Sequence, residues 1–234
     1  MAISHGLVAR RMTALEQLRA EKRTRRLLQL VVGLVGYGTS LTFLVQSSLG
    51  AASWNVLSEG IARQTGMTFG WATNLTSVVV LLCWIPLREL PGLGTVLNVL
   101  LVGTSADVAA HFLPMPGSLA QQAAYFLVGL SMLTLFDAVY LGARFGSGPR
   151  DGLMTGAVRI SGKPVWLVRT AIELVVLTIG WLLGGTAGFG TALIAVAMGP
   201  LVQIFLRFTT VRLKGDRASF SDADSDAPGP EPRG

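Results

Sequence analysis

The sequence predicts an all-α polytopic membrane protein, with six transmembrane helices arranged as two inverted three-helix repeats, each carrying an extra short helix after its first span. Three observations predict it. Charge is scarce and displaced to the ends: of 32 Asp, Glu, Lys and Arg side chains in 234 residues, 9 lie in 1–26 and 10 in 207–234, leaving 13 for 27–206. Such a stretch has too few solvated groups to clothe a water-soluble surface. Six segments are apolar over about 20 residues, the length that crosses a bilayer. Finally, the chain matches itself at a fixed offset.

Taken in order, residues 1–26 form a basic arm in which Leu7, Val8, Met12, Leu15 and Leu18 alternate with Arg and Lys. That pattern suits an amphipathic helix on the inner leaflet, or one that docks on a partner. Its polarity argues against a cleaved signal peptide. The spans fall at 27–48, 68–87, 93–113, 121–143, 164–183 and 189–208. Runs such as 77–85 and 171–183 lack the period-two alternation of barrel strands. The chain thus divides into the arm, a first membrane repeat at 27–113, an external linker at 114–120, a second repeat at 121–208, and a tail at 209–234 whose Asp- and Pro-rich end reads as disordered.

Basic residues set the orientation. With the arm in the cytoplasm, Arg88, Arg144, Arg150, Arg159, Lys163, Arg207, Arg212, Lys214 and Arg217 all fall on that side, and Arg63 alone falls outside. Both termini are then cytoplasmic. The same bias accounts for the pI of 10.2, so nucleic acid is not an expected partner. The lone cysteine, Cys83, sits in an apolar run and excludes an internal disulfide or cysteine metal site.

Residues 29–107 align with 125–203 without a gap, giving 17 identities in 79 positions. Seven are glycine pairs, among them Gly33/Gly129, Gly50/Gly146 and Gly103/Gly199. Three spans per copy make the second copy enter from the opposite face, a design recurrent in transporters, whose sites lie where the halves meet. Duplication as ancestry and packing symmetry alone is the competing account. After the first span of each copy comes a helix of about 12 residues, too short to cross. Ser53 suits an N-cap, Pro149 a first helical turn, and Gly66 and Gly162 left-handed C-terminal positions. Such a helix is either re-entrant, aiming its N-terminus at mid-membrane, or interfacial. Arg150, Arg159 and Lys163 favour the interfacial reading for the second copy.

Asn55 and Asp151, equivalent positions just inside these helices, cap locally or line a solute site. Asp107, Asp137, Arg169 and Glu173 lie near span depth, where charge is costly and faces protein or water. Arg169 and Glu173, four apart, suit an internal ion pair. Asp107 has His111 as its nearest partner, and is either a titrating coupling group or a hydrogen-bonded structural acid. Asp137 has Tyr140 and Tyr37 as polar neighbours. Asn98, with Asn74, Gln46 and Gln203, bridges helices or lines a pathway. Gly94-Thr95 and Gly190-Thr191 open the third and sixth spans, Thr supplying a capping oxygen and Gly a close approach. No nucleotide fingerprint, metal-ligand pattern or catalytic constellation appears, so neither a cofactor nor an enzymatic activity is expected.

The run WIPLRELPGLGTVLNVLLVG before Asp107, together with GSGPRDGLMTG, VRTAIEL and GWLLGGTAGFGT, resembles the YczE/YyaS/YitT-like bacterial membrane proteins over residues 30–206. The resemblance implies an integral plasma-membrane protein linked to secondary-metabolite production or export. It also implies an Asp in the Trp54-Asn55-Val56-Leu57 segment, where this chain has Asn55. The expected function is a secondary transporter or exporter of a small solute. Its pathway would be lined by Asn55, Asn98, Asp107, Asp137, Arg150, Asp151, Arg169 and Glu173, and coupled to protons or membrane potential. The alternative is a non-transporting accessory protein that organises a partner complex. Gly33 and Gly129 suit close helix packing within one chain or between copies.

Overall fold

The computed structural model describes residues 23–211, among which there are eight helices and no strand. Most of the basic arm and nearly all of the tail lie outside the described residues. The helices are α1 (Arg23–Gln46), α2 (Ser53–Thr65), α3 (Phe69–Leu87), α4 (Leu93–Phe112), α5 (Leu119–Gly142), α6 (Pro149–Ser161), α7 (Val165–Leu182) and α8 (Phe189–Thr209). All but α2 and α6 are long and apolar enough to cross a membrane. Their outer faces expose Trp71, Ile85, Leu100, Trp181, Val196 and Phe208, which only lipid can solvate.

At the centre α1 and α5 run antiparallel, and glycine lets them touch. A Cβ on Gly33 would lie 2.6 Å from the Tyr140 backbone nitrogen, and one on Gly129 would lie 2.9 Å from Leu44. Leu30, Leu34, Leu41, Leu133 and Ile194 fill the core around this seam. On the other side of α1, Thr42 donates its hydroxyl to the Ala106 carbonyl of α4 at 2.7 Å.

Arg26, fully buried, closes the C-terminal end of α5. It donates to the Ala143 carbonyl at 3.0 Å and the Arg144 carbonyl at 2.9 Å, with its guanidinium 4.3 Å from the Phe145 ring centroid. Helix-end carbonyls have no partner within the helix, so a cation here supplies what the backbone lacks. Arg26→Met is expected to cost about 2 kcal/mol, seen as a lower midpoint of thermal unfolding in detergent.

The two short helices run alongside spans rather than flat across a face. Trp54, in the first turn of α2, lies buried with Val80 and Val176, near the middles of α3 and α7. From there α2 follows α7: Gly60 meets the Gly180 backbone, Gln64 bonds the Leu183 carbonyl, and Arg63 bonds the Gly184 carbonyl. Likewise α6 follows α3, with Gly152 on the Trp84 ring, Gly156 on Leu87, and Arg159 paired with Glu89 at 3.2 Å. The second short helix thus packs along α3. Its exposed cations, Arg159 and Lys163, sit at one end only, while Arg150 sits at the buried tip. Each short helix leans on a span from the other half of the chain.

The linking loops repeat the same contacts. Gly190 donates its N–H to the Leu49 carbonyl, and Gly94 to the Phe145 carbonyl, both at 2.8 Å. Gly50 and Gly146 adopt φ of 118° and 103°, conformations that require glycine, beside Thr191 and Thr95 respectively. Gly66 and Gly162 are left-handed C-caps, at φ 73° and 63°. One expected cap is corrected: Ala52, not Ser53, is the N-cap of α2, and no side chain caps it.

Candidate solute site

The tips of α2 and α6 meet inside the bundle. Arg150 donates from Nη2 to Asn55 Oδ1 at 3.4 Å, and its guanidinium carbon lies 5.3 Å from the Trp54 ring centroid. Trp84 holds the tip of α6 by donating Nε1–H to the Pro149 carbonyl at 2.9 Å. Pro149 has no N–H of its own and carries the chain straight into the first helical turn. That turn places Arg150 and Asp151 side by side at the tip.

Around Gly148 three polar groups crowd together. A Cβ there would lie 3.1 Å from the Tyr140 hydroxyl, 3.6 Å from Asn98 Nδ2 and 3.8 Å from Asp151 Oδ2. Glycine thus keeps open the space that Tyr140, Asn98 and Asp151 share. The Tyr140 ring meets Tyr37 edge-on at 6.1 Å, and Asp137 lies buried one turn before Tyr140. Asp137 and Asp151 each feel the charges of Arg150 and Arg169. Burial pushes the Asp151 carboxyl above its usual range, while Arg150, Arg169, the Gly148 amide and the Tyr140 hydroxyl pull it back.

The structure therefore brings together Asn55, Asn98, Asp137, Arg150 and Asp151, with Arg169 and Glu173 within electrostatic reach of the group. No ion pair joins Arg169 to Glu173 among the described residues. Arg169 is exposed, and its charge is felt at Asp137 and Asp151, while the charge of Glu173 acts on Tyr37.

Other expected residues lie elsewhere. Asp107 accepts from the Thr68 hydroxyl, and from the Gly70 N–H at 2.7 Å, so it satisfies the N-terminus of α3 rather than joining the cluster. Asp107→Ala is expected to cost about 1–2 kcal/mol, measured as earlier thermal unfolding. Thr95 and Thr191 accept from the Gly92 and Gly188 N–H groups, each at 3.2 Å, and fasten loops with Gly94 and Gly190. Trp54 and Trp84 belong to the site without having been proposed as pathway residues, and Tyr37 had been named only as a neighbour of Asp137. The available signal was that Trp54 and Arg150 occupy equivalent positions of the two copies. Among the described residues, no group of three His, Cys, Asp or Glu could hold a metal.

The chain resembles a protein of Haemophilus influenzae described as uncharacterised, 37% identical over 187 residues, covering 80% of this chain and 85% of that one. It is 30% identical to the uncharacterised membrane protein YczE of Bacillus subtilis, over 74% of this chain and 80% of that one. It is 26% identical to YyaS of the same organism, over 75% and 89%. No solved structure matches. The cluster at the two helix tips sits inside the matched region, which spans residues 24–207, and on that match this multi-pass membrane protein belongs to the family described as a family of unknown function, DUF6198.

Proposed function

We propose that this protein is a secondary transporter or exporter of a small solute, and not an enzyme. The observation that carries the reading is the meeting of two half-length helices, one from each half of the chain, at a single buried polar cluster. Buried polar groups scattered as isolated helix-to-helix pairs would suit the accessory-protein alternative instead.

The reading includes an inverted repeat. Contacts that recur in pairs 96 residues apart support it: Gly33 with Tyr140 and Gly129 with Leu44, or Gly60 with Leu183 and Gly156 with Leu87. In this arrangement α2 and α6 enter from opposite faces as re-entrant helices, and the solute passes between their tips. The basic bias places both termini in the cytoplasm, across a bacterial plasma membrane. Protons or the membrane potential drive the movement, and Asp137 and Asp151 are the carboxylates placed to carry a proton.

Reconstitution into liposomes with a solute panel and a trapped pH-sensitive dye tests the reading. Flux that appears with the protein and falls about tenfold or more in Arg150→Gln is the expected result. Absence of flux across the panel, with recovery of a stable partner complex from the native membrane, would defeat it.

A further inference from the structure

The site carries unmet donors, and these define the sign of its ligand. Asn55 is fully buried, and its Nδ2 has no hydrogen-bond partner. The orientation of that amide is not arbitrary. Arg150 can only donate, so the oxygen of Asn55 must face it and the nitrogen is left over. A buried donor left unsatisfied is costly unless a ligand meets it.

One helix end reinforces this. Both α2 and α6 are 13 residues long, and neither N-cap, Ala52 or Gly148, offers a side-chain acceptor. The α2 tip therefore presents first-turn N–H groups and a partial positive charge, whereas at α6 Pro149 has no N–H and the Gly148 amide is taken by Asp151. Of the formal charges nearby, Arg150 and Arg169 stand against Asp137 and Asp151, and Glu173 acts at the edge of the group through Tyr37. Unmet hydrogen-bond donation is concentrated at Asn55 Nδ2, the free N–H groups of Arg150 and the first turn of α2.

We propose that the tips of α2 and α6 bind a small oxyanion, the carboxylate or equivalent group of the solute, with Asn55 and Arg150 as its side-chain donors. The proposal rests on the transport reading for the passage of the solute, but its test does not require flux. The full-length protein in nanodiscs is titrated with sodium formate, acetate and phosphate, and its unfolding temperature is followed. The sodium salt of a bulky sulfonate serves as the ionic-strength reference, and the tetramethylammonium salt of that sulfonate as the cation arm.

At least one small oxyanion is expected to raise the midpoint saturably, because a ligand that binds only the folded state stabilises it by mass action. In Asn55→Asp, and separately in Arg150→Gln, half-saturation should move to about tenfold higher concentration, the loss of one charge-assisted or buried hydrogen bond. Either variant is informative provided it elutes as a single species, and the wild-type titration needs neither. If no small oxyanion acts saturably, or if only tetramethylammonium does, the proposal fails. Flux of a cationic or neutral solute would then leave transport standing without it. Saturable oxyanion binding with no flux would keep this site and remove the transporter.

Discussion

Gly103→Ala is expected to destabilise the protein by about 3 kcal/mol, while the same change at Gly199 leaves stability intact or improves it. A Cβ on Gly103 would fall 2.1 Å from the Gly70 carbonyl oxygen and 2.2 Å from Asn74 Oδ1. Both belong to α3, and a backbone carbonyl cannot rotate aside. The helices would have to separate, breaking the 3.0 Å bond from the Gly103 N–H to Asn74. Around Gly199 nothing lies within 4 Å, so a methyl group there meets only surroundings. Alanine in an open helical position gains up to about 1 kcal/mol over glycine. Thermal unfolding of the two variants in one detergent decides the matter. Equal midpoints would show that α3 and α4 do not pack as described. The comparison is pointed because Gly103 and Gly199 are equivalent in the sequence repeat, and only the packing tells them apart.

Arg150→Gln carries the second large effect, and its pH dependence is the diagnostic part. The charge of Arg150 acts on both Asp137 and Asp151, and without it the buried Asp137 and the half-buried Asp151 keep only the charge of Arg169. Leaving buried charge poorly compensated costs several kcal/mol at most; here a loss of about 2 kcal/mol is expected near neutral pH. That corresponds to roughly 4–8 °C for a chain of this size. The sign with pH follows from Asp151. Burial raises its carboxyl, so the folded state holds that proton more tightly than the unfolded chain does. The associated stability is full on the acid side of the ordinary carboxylate range and is lost as pH rises through the raised value. The Arg150→Gln deficit should therefore shrink in acid and widen toward alkaline pH. Adding Asp151→Asn should recover much of it, because the uncompensated charge is gone. Midpoints for both variants across pH 5 to 8 measure this, and a deficit that ignores pH would count against the charge coupling.

The six spans were readable because length and apolarity are local properties. The expected 68–87 and 93–113 correspond to Phe69–Leu87 and Leu93–Phe112, and the others agree within four residues. The glycine C-caps at Gly66 and Gly162 were readable for the same reason, since a left-handed residue advertises itself by its type. The tips of the short helices were not. A 13-residue helix with an arginine in its last turn has the same pattern whether or not it packs beside a span, and only the Trp54 and Trp84 contacts show that these two do. Arg150 was read both as a marker of a membrane face and as a pathway residue. Its approach to Asn55 crosses 95 positions of chain and leaves no trace in local pattern. Asp107 was legible in kind but not in partner: it is the hydrogen-bonded structural acid of the two readings, held not by His111 but by Thr68 and Gly70, 39 and 37 residues upstream.

The exchange of short helices between the halves has a consequence for how the protein is made. When the ribosome has delivered only the first three spans, α2 has no α7 to lie against, and Gly60 faces lipid rather than the Gly180 backbone. The tip with Trp54 and Asn55 is likewise unfinished until α6 has been inserted. The nascent chain therefore waits, half-assembled in the bilayer, for its second half to arrive. Expressing residues up to the 114–120 linker alone would yield a fragment for the cell's membrane quality-control proteases, whereas the two halves supplied together could still complete each other.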